Sequence, residues 1–123
     1  MIGYITLGSN DLQTSATFYD QIFSELSASR LFDTPSFIAW GKGDGSPFFA
    51  ITTPFNKDTA TTGNGVMIAI QAPDTGVVDL IHDKALELGA EDEGAPGKRP
   101  AGFYCAYFRD LDGNKLNVYC TPQ

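Results

Sequence analysis

The sequence predicts an α+β fold made of two βαβββ halves. Three observations predict it. The apolar pattern of the first half recurs at an offset of 63 residues, which places Tyr4 on Met67, Asp11 on Asp74, Phe18 on Ile81 and Ile22 on Ala85. A repeat at that period marks an internal duplication. Each half opens with an alternating apolar strand that runs into a helical stripe. Each half then closes in short β-rich runs broken by turn residues, and a hairpin in each half argues for α+β rather than α/β layering.

The elements follow in order. "IGYITLGS" alternates and predicts a strand over residues 2–8. In "NDLQTSATFYDQIFSEL", Asn10 or Asp11 can cap a helix, and Phe18, Tyr19, Ile22 and Phe23 form its core face. "SASRLF", "FIAWG" and "PFFAITT" read as short strands, separated by Asp-Thr-Pro and the glycine-rich "GKGDGS". "TPFNKDTATTGNG" is polar and reads as a linker. "GVMIAIQA" restarts the pattern, and Asp74 or Thr75 caps a second helix. Val78, Ile81, Ala85 and Leu88 make its stripe, and Gly89 ends it. "AEDEGAPGKRPAG" reads as mostly loop, with room for a short edge strand. "FYCAYFRD" and "KLNVYC" predict a closing hairpin around "DLDGN". The chain is expected to be one domain over 1–123, with module one about 1–54, a linker at 55–63 and module two about 64–123.

Composition narrows the partners. The 123 residues are 42% hydrophobic, enough for one real core. The net charge of −7 argues against nucleic acid and against an anionic membrane surface, because phosphate binding needs a basic face. No apolar run approaches the roughly 18 residues of a membrane span, and the N-terminus lacks a basic segment before an apolar one. A reducing cytoplasm is the expected compartment for Cys105 and Cys120. A bond between them is not expected, since the hairpin register pairs 105 near 119 and puts the sulfurs on opposite faces.

"YITLGSNDL…FY" at 4–19, "VVDLIHDKALELGA" at 77–90 and "AYFRDLDGNKLNVY" at 106–119 together resemble the vicinal oxygen chelate superfamily. That is the group of glyoxalase I, the bleomycin and fosfomycin resistance proteins and the extradiol dioxygenases. The resemblance spans the whole chain. It implies a mixed sheet curled around a cavity, with a divalent metal held from four strands by His, Gln or Glu. The matching positions are Tyr4, Met67, Asn117 and a fourth in "PFFAIT", at Phe49 or Ala50. None is a good donor for such a metal. The single histidine, His82, lies on the second helix and is expected to face water. Glu25, Glu87, Glu91 and Glu93 lie in helical or loop segments. One histidine cannot build a two-His, one-carboxylate iron site, which excludes ring-cleaving dioxygenase chemistry in a single chain. No cofactor is therefore expected, although the resemblance implies a metal.

Strand alternation then picks the inward residues. Thr6 joins Tyr4; Ala69 and Gln71 join Met67; Lys115 and Tyr119 join Asn117; Phe103, Cys105 and Tyr107 face the same way, with Phe108 toward the helices. Trp40 is a further candidate wall. The candidate ligand-binding set is Tyr4, Thr6, Trp40, Phe49, Met67, Tyr107, Asn117 and Tyr119, an aromatic wall suited to a flat, partly apolar organic molecule. Lys98 and Arg99 belong to a solvated loop or reach an anionic ligand group. Cys105 reads as structural, with no base in reach of the pattern. The expected function is small-molecule binding without the usual metal. The alternative is a lactoylglutathione lyase-like lyase or isomerase with an unusual metal site. The resemblance also implies a homodimer.

Overall fold

The computed structural model describes residues 1–122. It groups the chain into two compact units, 1–62 and 63–123, each a four-stranded sheet with one helix.

The first unit runs β1 (Tyr4–Gly8), α1 (Leu12–Ser24), β2 (Ser29–Asp33), β3 (Phe37–Gly41) and β4 (Phe48–Thr52). Its strand order is β1-β4-β3-β2, with β1 parallel to β4 and the other pairs antiparallel. Asp11, rather than Asn10, caps α1: its carboxylate accepts from the Thr14 backbone N–H at 3.2 Å and from the Thr14 hydroxyl at 2.8 Å. Asn10 instead ties down the segment expected to be a linker, exchanging two hydrogen bonds with the Ala60 backbone. The buried stripe of α1 includes Phe18, Tyr19, Ile22 and Phe23, which pack on the sheet. Tyr19 and Phe23 both meet Trp40 and Phe49.

The second unit runs β5 (Ile68–Gln71), α2 (Thr75–Glu87), β6 (Glu91–Lys98), a 3-10 turn (Pro100–Gly102), β7 (Tyr104–Arg109) and β8 (Lys115–Cys120). Its order, β5-β8-β7-β6, repeats the first sheet, with β5 parallel to β8. Asp74 caps α2 by accepting from the Val77 N–H at 2.9 Å. Val78, Ile81 and Ala85 of α2 are buried, as are Ala106, Phe108, Leu116 and Val118 of the sheet. In the β7–β8 turn, Asp110 Oδ1 accepts from the backbone N–H groups of Asp112 and Asn114, both at 2.9 Å, while Gly113 supplies the positive φ of 89°.

Two expectations need correction. Residues 91–98 form a full eight-residue strand rather than mostly loop with a short edge strand. The sequence hides it because β6 is an edge strand with two register shifts, and an edge is where a strand tolerates Pro96 and bulges. His82 is not on the water side of α2. It is 3% exposed, and its Nε2 lies 3.1 Å from Asp92 Oδ1 of β6, so it pins the helix to the edge strand. No helix among the described residues is long and apolar enough to cross a membrane.

Candidate functional site

Each sheet has one face under its helix and one face turned away. The residues expected to bind a ligand divide between these two kinds of face.

In the first unit, Tyr4 and Thr6 are on the face away from α1. Tyr4 pairs with Phe48 in register and stacks on its ring, with centroids 4.8 Å apart and planes 1° from parallel. Tyr4 also meets Phe37 edge-on, and Phe32 contacts both Phe37 and Phe48. Four rings from four strands thus form one cluster. Beneath them the sheet carries the small partners Ala39 and Ala50, and then Gly41, where a Cβ would come within 2.7 Å of Leu31 Cδ1. Tyr4 and Phe32 remain 54% and 51% exposed, unusual for rings of this size.

Trp40 and Phe49 are on the opposite face. Both are buried under α1, and the Trp40 indole N–H donates to Asp20 Oδ1 at 2.9 Å. Asp20 also accepts from Arg30 Nε and Nη2, and these bonds hold its carboxyl below the usual range. Of the two residues weighed for the fourth strand position, Ala50 shares the register of Thr6 on the outer face, and Phe49 belongs to the core. The run "FFAIT" does not alternate, so only the pairing with β1 reveals which phenylalanine points where.

In the second unit, Tyr107, Asn117 and Tyr119 come together on the face away from α2. Asn117 is the cross-strand partner of both Tyr107 and Ala69, and Tyr119 that of Cys105 and Gln71. Phe103 meets Tyr119 edge-on at 5.9 Å. Met67 immediately precedes β5 and is 40% exposed. Cys105 and Cys120 are both reduced and buried, and Cys120 pairs with Tyr104. Burial pushes the Cys120 thiol up, away from a reactive thiolate.

The polar chemistry of this second face centres on Tyr107. Arg99 Cζ lies 5.5 Å and Lys115 Nζ 5.6 Å from its ring centroid. Asn117 is 5% exposed, and its Oδ1 is buried with no hydrogen-bond partner among the described residues. Sequence reasoning places no expectation on Phe32, Phe37 and Phe48, and leaves Arg99 either in a solvated loop or in reach of an anionic ligand group. The alternation of β3 carried a usable signal for Phe37, since Phe37, Ala39 and Gly41 must share a face. Among the described residues no three His, Cys, Asp or Glu side chains gather to hold a metal ion. The phenol, thioether, methyl and neutral amide at Tyr4, Met67, Ala50 and Asn117 do not fit a hard divalent cation either.

Comparison with known proteins agrees with this architecture. The model of the Glyoxalase/Bleomycin resistance protein/Dioxygenase superfamily matches residues 1–118. A glyoxalase/bleomycin resistance protein from Albidiferax ferrireducens is 32% identical, with a TM-score of 0.92 and 99% of both chains covered. A glyoxalase/bleomycin resistance protein/dioxygenase family enzyme from Burkholderia phytofirmans is 17% identical, with a TM-score of 0.78 and 97% of both chains covered. A lactoylglutathione lyase from Agrobacterium tumefaciens is 22% identical, with a TM-score of 0.71; 98% of this chain and 92% of that chain are covered. No curated protein matches. The duplicated βαβββ order, the family match over nearly the whole length and the full-length 32% relative lead to one assignment: the chain belongs to the glyoxalase/bleomycin resistance protein/dioxygenase superfamily.

Proposed function

We propose that this protein binds a small, flat organic molecule by ring stacking and hydrogen bonding, without a metal centre. The observation that carries the reading is the cluster of Tyr4, Phe32, Phe37 and Phe48 on the face away from α1. Two of its rings are more than half exposed. Exposed aromatic surface gathered in one place is more often a contact surface than an accident of packing. The side chains at the positions where the family resemblance puts metal ligands support binding over metal-assisted chemistry.

The test uses flat aromatic probes followed by NMR. Hippurate and its neutral amide, hippuramide, are suitable because each joins a phenyl ring to a peptide group. The ring resonances of Tyr4, Phe37 and Phe48 should shift on titration. Tyr4→Ser should weaken binding by about threefold to tenfold, the loss of one aromatic contact. Rings that do not respond to any aromatic probe would remove the stacking reading. One tightly held divalent ion per chain by elemental analysis would remove its metal-free part.

A further inference from the structure

We propose that the face of the second sheet around Tyr107 receives an anionic group, a carboxylate or phosphate, of a ligand that also donates a hydrogen bond to Asn117. This goes beyond the preceding reading, which concerns the first unit, and rests on it only in taking the ligand to be a small organic molecule.

Two cations attend one ring. Arg99 and Lys115 both lie within 6 Å of the Tyr107 centroid, and among the described residues neither pairs with a carboxylate. The contrast with neighbouring arginines is direct. Arg109, on the same strand as Tyr107, is neutralised by Glu93 at 2.7 Å, and Arg30 by Asp20 and Asp33. The chain has 15 acidic residues to 8 basic ones, so acids are in ample supply. Two uncompensated cations over one ring are therefore a local choice rather than a shortage of partners.

Arg99 is also held in place. Its Nη2 donates to the Ala95 carbonyl at 3.0 Å and its Nη1 to that of Lys98 at 3.4 Å. Its own backbone N–H donates to Phe103 at 2.7 Å. Its guanidinium lies over two glycines of β6. A Cβ on Gly97 would come 3.0 Å from Nη1, and one on Gly94 would come 3.5 Å from Nη2 and 3.0 Å from Tyr107 Cδ2. The glycines leave the space in which the cation sits beside the ring. A guanidinium has five N–H donors, so two bonds to carbonyls leave capacity for an oxyanion.

The second observation is independent. Asn117, the register partner of Tyr107, is 95% buried, and its carbonyl oxygen has no donor among the described residues. Buried carbonyls are ordinarily paired, and a ligand N–H or O–H would satisfy this one. The cations and the amide oxygen together select an N-acylated or hydroxylated organic acid, or its phosphate counterpart. The net charge of −7 does not oppose this at short range, because distant charges are screened beyond about 8 Å in physiological salt.

The experiment compares hippurate, hippuramide and inorganic phosphate on the intact chain. Calorimetry gives affinity, and NMR follows Arg99 Nε, the Lys115 ammonium and the Asn117 side chain. Hippurate should bind about tenfold tighter than hippuramide, the worth of one charge-assisted contact. Lys115→Gln and Arg99→Gln should each remove much of that preference, with melting temperatures showing that the variants fold. Phosphate should shift the Arg99 and Lys115 signals without moving the Tyr4 ring. Phosphate binding without hippurate binding would assign the site to a phosphate group. Equal binding of hippurate and hippuramide, a preference untouched by both variants, or no response to any probe would overturn the proposal. A charge preference that survives in Tyr4→Ser at full affinity would uphold it and overturn the stacking reading alone.

Discussion

Asn117 carries a buried amide oxygen that no donor among the described residues reaches, in a strand whose residues are otherwise largely buried. An unsatisfied buried acceptor costs about 1–3 kcal/mol. Asn117→Leu keeps the volume and removes the acceptor. It should hold or raise the unfolding free energy by about 1 kcal/mol, while hydrogen-bonding probes lose affinity. Thermal melting and calorimetry on the same samples check both halves. A clear loss of stability would mark Asn117 as a structural residue. Asp20 makes the opposite case, a charged group with every partner in place. Its folded carboxyl is depressed by the Arg30 hydrogen bonds, so its contribution is present above the unfolded pKa of about 4 and is lost as the pH falls through the depressed value. The carboxylate is partly exposed, so the contribution is screened. Asp20→Asn should cost about 1 kcal/mol near neutral pH and markedly less near pH 3. An equal cost at both would show that its bonds do not depend on the charge.

The two helices end alike but not with equal ease. After α1, the Ala28 N–H donates to Phe23 across Ser27, which sits at a φ of 57°. After α2, the Ala90 N–H donates to Ala85 across Gly89, at a φ of 103°. Both are left-handed caps, yet only the second uses the residue that adopts this backbone without strain. Ser27→Gly should therefore stabilise the protein by about 0.5–1 kcal/mol, and Gly89→Ala should destabilise it by about 1 kcal/mol or more. Denaturant unfolding measures both; a destabilised Ser27→Gly would mean that the serine side chain contributes more than its backbone costs. The caps were also the part of the elements most open to sequence reading. Asp11 and Asp74, matched by the 63-residue offset, each start a helix of 13 residues. The edge strand β6 was only partly open to it: room for a short edge strand was legible, its full length was not. A strand containing two glycines and a proline, with its register shifted twice, has no period to detect.

For the whole chain, the family and the doubled α+β plan were legible because they rest on order and spacing, which a single sequence carries. Which residues share a sheet face was only half legible. The Tyr107, Asn117 and Tyr119 face follows from alternation counted back from a well-defined hairpin. Trp40 and Phe49 were misplaced among ligand-facing residues because continuous apolar runs do not say which face is which. The assembly state extends the same reasoning. Each sheet leaves two edge strands, and unpaired strand edges are commonly protected by association. The exposed rings of Tyr4 and Phe32 on the first sheet add apolar surface that a second copy or a ligand would cover. We propose a homodimer on these grounds. Light scattering at micromolar concentration should return twice the chain mass of 13.2 kDa. A monomeric mass at that concentration would leave the rings to the ligand alone. A dimer that dissociates on Phe32→Ser, with Tyr4→Ser still dimeric, would instead place the partner on the β2 side of the cluster and leave Tyr4 free to stack.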